Sequence, residues 1–432
     1  MKKAVQFLLI VSVMLMIPAI VYADMLYPIR KNDLWGYMDQ QGNIIIDCQF
    51  SYAGPFRNAQ YAVVENPDSG YGIIDIQGQY CVDPVYEMII EGELDCWFGG
   101  RDQGVNLLFT DTGTAIFDVV TGNVSPADYD VLDIYFDTKS RLMPVNSLDD
   151  ASLGYLNLDT WELAIPYQFD PSFCGSFYNH ITIAAPPEAP DDLILINEQG
   201  QTIPLPANTE IADIRISQGR ILIQDLDSKL FGFCDTSGAL VIPCQYDDAY
   251  PFLNDIACVR KGDTILGIDL EGVALFTAES EFQFLFDYAV CDTGAIIDRN
   301  GNQTGMIPED VILINYFDQD GFCLVANADR KIGVLDASGK EIWSAENECE
   351  LGDTLFYRDI EPEEHTYFHD GLLMLKNEDE KYGFINQQGE VVIPFLYDTA
   401  ADFDTSLALV EKDGILQYLD TSGSVVWSEK KQ

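Results

Sequence analysis

The chain has 432 residues, 71 acidic against 23 basic, a formal net charge of −48, 47% hydrophobic residues and 12% aromatics. That much apolar and aromatic side chain excludes a disordered acidic tail. The charge excludes a nucleic-acid partner and a polybasic membrane patch, because both need clustered Lys and Arg.

Lys2 and Lys3 precede an uncharged apolar run from Ala4 to Tyr22, and Val21, Tyr22 and Ala23 then lead to Asp24. A positively charged start, an apolar stretch and small or β-branched residues before a cut are the pattern of a secretory signal peptide, here 1–23. The alternative is an uncleaved anchor, since residues 4–23 could just span a bilayer. No Cys stands near the cut and no second hydrophobic span precedes Ser428 to Gln432. The expected product is secreted or associated with the cell envelope, with no membrane insertion after cleavage.

From there on one pattern recurs: an aromatic or aliphatic residue, Gly, two apolar-leaning residues, Asp or Asn, two variable residues, Gly. Its clearest copies are Trp35-Gly36-Tyr37-Met38-Asp39-Gln40-Gln41-Gly42 and Phe231-Gly232-Phe233-Cys234-Asp235-Thr236-Ser237-Gly238, with further good copies ending at Gly78, Gly339 and Gly389. Worn copies end at Gly113, Thr160, Gly200, Gly272, Gly301 and Gly423, giving eleven copies at a mean period of about 38 residues. An apolar run follows each copy, often ending in Ile-Pro-x-x-aromatic-Asp, as in Ile242 to Asp247, Ile393 to Asp398 and Ile165 to Asp170. A Phe then precedes another apolar strand, as at Phe56, Phe252 and Phe368.

Asp-x-x-Gly between two apolar runs is hairpin chemistry: the Asp side chain caps the turn's amides and Gly takes the positive φ that closes it. The Gly after Trp35 falls inside a strand, where a missing Cβ marks the close approach of another backbone or a large ring. Pro243 and Pro394 are expected to end the second strand, because Pro cannot donate to a ladder. Each unit then holds three or four strands, too few to bury their own faces. No segment of 12 or more residues keeps a helical period.

The Trp-Gly-Tyr-x-Asp-x-x-Gly hairpin, with Ile-Pro-x-x-Tyr-Asp and Phe after it, resembles the WG (KWG) repeat of bacterial exported and surface proteins. The resemblance is strong over 28–92, 229–272 and 330–423 and faint over 100–215, and only Trp35 keeps the Trp-Gly dipeptide. It implies an all-β repeat, mostly without assigned activity, and supplies no catalytic residue. Eleven units exceed the four to eight blades typical of one ring. The expectation is therefore two propeller-like halves, 24–215 and 216–432, with an open β-solenoid array as the alternative.

The ten cysteines include no CxxC, and Cys258 and Cys323 sit in apolar alternating runs, as buried free thiols do. Mostly reduced packing cysteines are expected, with room for one or two bridges if the compartment is oxidising. Of three histidines, His365 and His369 have metal-ligand spacing on a helix, with Glu363, Glu364 and Asp370 nearby, but the repeat places them on a loop. Asp318-Gln319-Asp320-Gly321 resembles the middle of a calcium loop, yet Asn327 stands where a bidentate Glu is required. No metal site or cofactor is assigned, and calcium alone stays open.

Neither a Gly-x-Ser-x-Gly elbow nor a phosphate-cradling loop is present, the ten arginines are scattered, and no catalytic residue is assigned. Trp35, Tyr71, Phe231 and Tyr382 share one repeat position and are read as packing; Trp97, Tyr178 and Tyr357, outside the pattern, are candidates for contact. The expected function is a monomeric binding or scaffold module at or beyond the cell envelope, without catalysis, whose acidity favours a cationic protein partner. The alternative is a glycan-binding or glycoside-processing propeller, since a carboxylate pair is recognised only by its separation in space.

Overall fold

The computed structural model describes residues 25–56, 60–91, 105–110, 113–126, 129, 140–147, 152–173, 175–344, 347, 349–351 and 366–430. Residues 1–23, and with them the expected signal peptide, lie outside this set. Among the described residues there is no helix: the chain forms eleven separate antiparallel sheets of three or four strands, each a simple meander. In chain order these span 27–50, 52–86, 88–124, 142–169, 181–203, 209–246, 248–278, 288–306, 312–343, 350–397 and 399–428, and are called sheets 1 to 11.

Sheet 1 shows the unit: β1 (Tyr27–Lys31), β2 (Leu34–Met38) and β3 (Ile44–Phe50). Most later sheets add a short strand in front, such as the two-residue Asp248–Ala249 of sheet 7. The turn before the last strand is closed as the sequence predicts. Oδ1 of Asp235 accepts from the amides of Ser237 (2.8 Å) and Ala239 (3.0 Å), and Gly238 has φ +78°. Asp39, Asp75, Asn197, Asp269, Asp298, Asp336, Asn386 and Asp420 repeat this cap. In sheet 3 the corresponding turn runs from Asp118 to Gly122 (φ +71°), so Gly113, read as the close of a worn copy, begins the strand before it.

The in-strand glycine meets a backbone. A Cβ on Gly36 would lie 2.5 Å from the carbonyl oxygen of Ile46, and one on Gly232 would lie 2.5 Å from that of Ile242. In both pairs the facing strand bulges at this point. The prolines need a correction here. Pro243 and Pro394 do not end their strands, which run from Leu240 to Tyr246 and from Val391 to Tyr397. Each sits in the bulge of an edge strand, where a missing N–H leaves no ladder bond unmade.

Between successive sheets lies a core of buried side chains. Tyr37, Phe50, Phe56 and Val64 fill the first, and Leu372, Phe384, Ile393 and Phe403 belong to the tenth. The series closes on itself: Tyr27, Ile29 and Met38 of sheet 1 are buried with Leu407 and Tyr418 of sheet 11. The Tyr418 hydroxyl donates to the Pro28 carbonyl (3.0 Å), and Arg30 makes a bidentate pair with Glu429 (2.9 and 3.0 Å). The all-β, propeller-like expectation holds, but the sheets form one closed ring and not two. Across residue 215 the packing is unbroken, with Ile183 and Leu195 of sheet 5 against Ile221, Ile223 and Cys234 of sheet 6.

Candidate interaction surface

Antiparallel meanders place the turn before the second strand and the turn before the last strand at one end of each four-stranded sheet; in the three-stranded sheets the last turn and the turn entering the first strand take these places. The middle turn and the crossover to the next sheet fall at the other. Contacts between sheets show that sheets 10, 11 and 1 point the same way: Gln40 Nε2 donates to the Thr405 carbonyl (3.1 Å), and the Ser406 amide to Asp370 Oδ2 (2.7 Å).

The first end is built from two kinds of turn. Besides the Asp-capped turns there are two-residue turns inside the bridges Tyr178 to Ile181, Leu253 to Ile256, His369 to Leu372 and Asp404 to Leu407. Both central residues have positive φ, at Asn179 and His180, Asn254 and Asp255, Asp370 and Gly371, and Thr405 and Ser406. These are type I′ turns, whose twist matches that of the strands and which favour Asn, Asp and Gly. Both turn chemistries therefore recruit Asp, and this end is acidic. Several of these carboxyls are held below the usual range by hydrogen bonds to the turn, as Asp235 is by Ser237 and Asp420 by Ser422.

The opposite end gathers Lys and Arg in the middle turns, several of them paired with acids at the crossovers, and is itself acidic through exposed residues such as Asp191, Asp192, Asp292, Glu309 and Asp310. Lys331 bonds Glu350 (2.9 Å), Arg260 lies 3.3 Å from Asp248, and Lys381 pairs with Asp398. Two arginines at the acidic end are already engaged. Arg141 grips the buried Asp118 with both nitrogens (3.1 and 2.5 Å), and Arg220 donates to the Leu270 carbonyl (3.0 Å).

The sequence-derived candidates fall into place within this frame. His180 is exposed in its turn, 2.9 Å from Glu198. His369 is mostly buried, with Nε2 4.0 Å from Asp402. His365, Glu363, Glu364, Trp97 and Tyr357 lie outside the described residues. Among the described residues, no three His, Cys, Asp or Glu side chains gather as a metal site would require. The Asp318 segment is another capped turn: Oδ1 accepts from Asp320 (3.0 Å) and Phe322 (2.8 Å), and Oδ2 from Tyr367 of the next sheet (2.9 Å). Burial pushes its carboxyl up to about 6. Asn327 caps the following turn through Asp329 and Lys331. Tyr178 is half-buried beside its turn. Trp35, Tyr71, Phe231 and Tyr382 pack between sheets, as read.

Eight cysteines fall within the described residues and all are free thiols. Cys258 and Cys323 are core residues, as predicted, and burial raises the Cys258 thiol to about 12. What the sequence alone did not reveal is that the two sets of Asp-rich turns share one end, because that depends on the topology.

A closed ring of short antiparallel sheets defines a β-propeller-like repeat protein. The model of the WG containing repeat matches residues 35–66, 231–264 and 382–414, so these three segments are similar to WG repeats. No curated protein matches it. Among solved structures, BamB from Moraxella catarrhalis is 12% identical, with 78% of this chain and 97% of that one covered, at a TM-score of 0.30. A eukaryotic initiation factor is 13% identical over 86% and 95% at a TM-score of 0.38, and the designed Ika8 protein 12% over 86% and 96% at 0.26. At these scores the likenesses carry no conclusion about this chain.

Proposed function

We propose that this protein is an exported, non-catalytic binding or scaffold module that presents its acidic end to a cationic protein partner at or beyond the cell envelope. The observation that carries this reading is that both sets of Asp-rich turns share one end, while most of the Lys and Arg lie at the other. Several of those Lys and Arg are paired with acids of their own. Such a surface steers basic partners and repels acidic ones. The recurring polar residues serve their own turns, and repeats of this kind act through extended surfaces. Export rests on the charged and apolar pattern of residues 1–23.

The test is retention of envelope proteins and of a glycan panel on immobilised residues 24–432 at low and at high salt. Protein retention lost at high salt supports the reading. Salt-resistant glycan retention, or none of either kind, contradicts it.

A further inference from the structure

Two of the eight described cysteines face each other across the space between sheets 7 and 8. Cys258 lies on the second strand of sheet 7, Ala257–Lys261, with its side chain toward sheet 8. Cys291 follows the first strand of sheet 8, Tyr288–Val290, with its side chain toward sheet 7. Both are buried in one core, 3% and 2% exposed, with Phe282, Phe284 and Ala289 around them. The Cys258 sulfur is hydrogen-bonded to the backbone of Phe282, and the Cys291 sulfur to Ser280, two residues away on the segment that enters sheet 8.

The repeat explains why they meet. The same two positions hold Leu222 and Val259 between sheets 6 and 7, Leu324 and Leu375 between sheets 9 and 10, and Met374 and Val410 between sheets 10 and 11, and each of these pairs is buried in one core. Between sheets 7 and 8 both positions carry sulfur. Cys234 and Cys244, the closest pair in sequence, are not such partners, because on neighbouring strands of sheet 6 Cys234 stands opposite Leu240. A disulfide can join face-packed sheets, as it does in immunoglobulin domains.

We propose that Cys258 and Cys291 form a disulfide that staples sheet 7 to sheet 8 when the chain folds in an oxidising compartment. The oxidant is an external disulfide. One cysteine thiolate attacks it and releases a thiol, and the second cysteine displaces the other thiol from the mixed disulfide, so that two electrons and two protons pass to the reagent. This step belongs to folding. Burial pushes the Cys258 thiol up to about 12 and raises that of Cys291, so the closed core supplies little thiolate. The compartment rests on the export in the reading above, whereas the pairing rests on the packing of the two sheets alone.

The test is a peptide map of residues 24–432 refolded from the reduced, denatured state in a buffer of reduced and oxidised glutathione, with the remaining thiols blocked and the protein digested without reduction. A cross-linked pair of peptides carrying Cys258 and Cys291 is expected. Reduction should then lower the thermal midpoint by about 5 °C. In C258V/C291V, which restores the aliphatic pairing of the other sheets, that shift should vanish. Recovery of both cysteines as blocked thiols, or of either in a bridge to another cysteine, overturns the staple. If the denatured chain does not refold, the folded, reduced protein is held in the same buffer at its urea midpoint, and the same outcomes decide. Export is judged separately: protein confined to the cytoplasm of the producing cells sinks that reading and leaves the map unchanged.

Discussion

Glycine carries two separable duties in this repeat, and the structure allows them to be measured apart. Gly414 and Gly389 both have positive φ, +74° and +78°, but a Cβ on Gly414 meets nothing within 4 Å, whereas one on Gly389 would lie 2.0 Å from the Ile342 carbonyl of the preceding sheet. Gly414→Ala should cost only the conformational penalty, about 1 kcal/mol. Gly389→Ala should cost at least about 2 kcal/mol more, because a rigid backbone must move. Urea midpoints of the two variants decide this. The Asp318 carboxyl provides a pH signature at the same scale. Its folded value of about 6 exceeds the ordinary 3.8, so its favourable contribution is present at low pH and is lost as pH rises through 6. The stability of the unaltered protein relative to Asp318→Asn should therefore fall between pH 5 and pH 7.5, read from thermal midpoints. The turn-cap aspartates, held low, contribute in the opposite sense, and the comparison with the single variant cancels them.

At the scale of the element, the repeat hairpin was legible in the sequence. Asp-x-x-Gly gave the capped turn, and the missing side chain at Gly36 and Gly232 gave the close backbone approach. Pro243 and Pro394 misled because an edge strand tolerates what a central strand does not, and a sequence does not say which strand is the edge. Gly113 misled because the true turn of sheet 3, Asp118 to Gly122, is one residue longer than the repeat's own. That same turn holds a buried polar tie between sheets 3 and 4, Asp118 with Arg141. Arg141→Met would leave this carboxylate buried without its cation and should destabilise by about 3–5 kcal/mol. Adding Asp118→Asn should restore part of the loss, and thermal unfolding of the single and double variants measures both.

At the scale of the whole molecule, the eleven units were countable from the sequence but their closure was not. The seam depends on Tyr27, Arg30, Thr405 and Glu429, and nothing in the repeat pattern says that they meet: the Tyr27 hydroxyl donates to the Thr405 carbonyl (2.9 Å), and Arg30 grips Glu429. The make-up of the candidate surface was hidden for a related reason. Asp positions are plain in each repeat, and only the way the sheets are oriented gathers their turns at one end. Self-repulsion at −48 should make the ring more stable as salt rises from low to physiological levels, seen as a rising thermal midpoint. The central claim is that one ring closes from sheet 1 to sheet 11, and small-angle X-ray scattering of residues 24–432 tests it most directly. The closed ring predicts a single compact disc-like particle whose profile is unchanged by salt. Two separately scattering lobes, or the long maximum dimension of an open array, would contradict it.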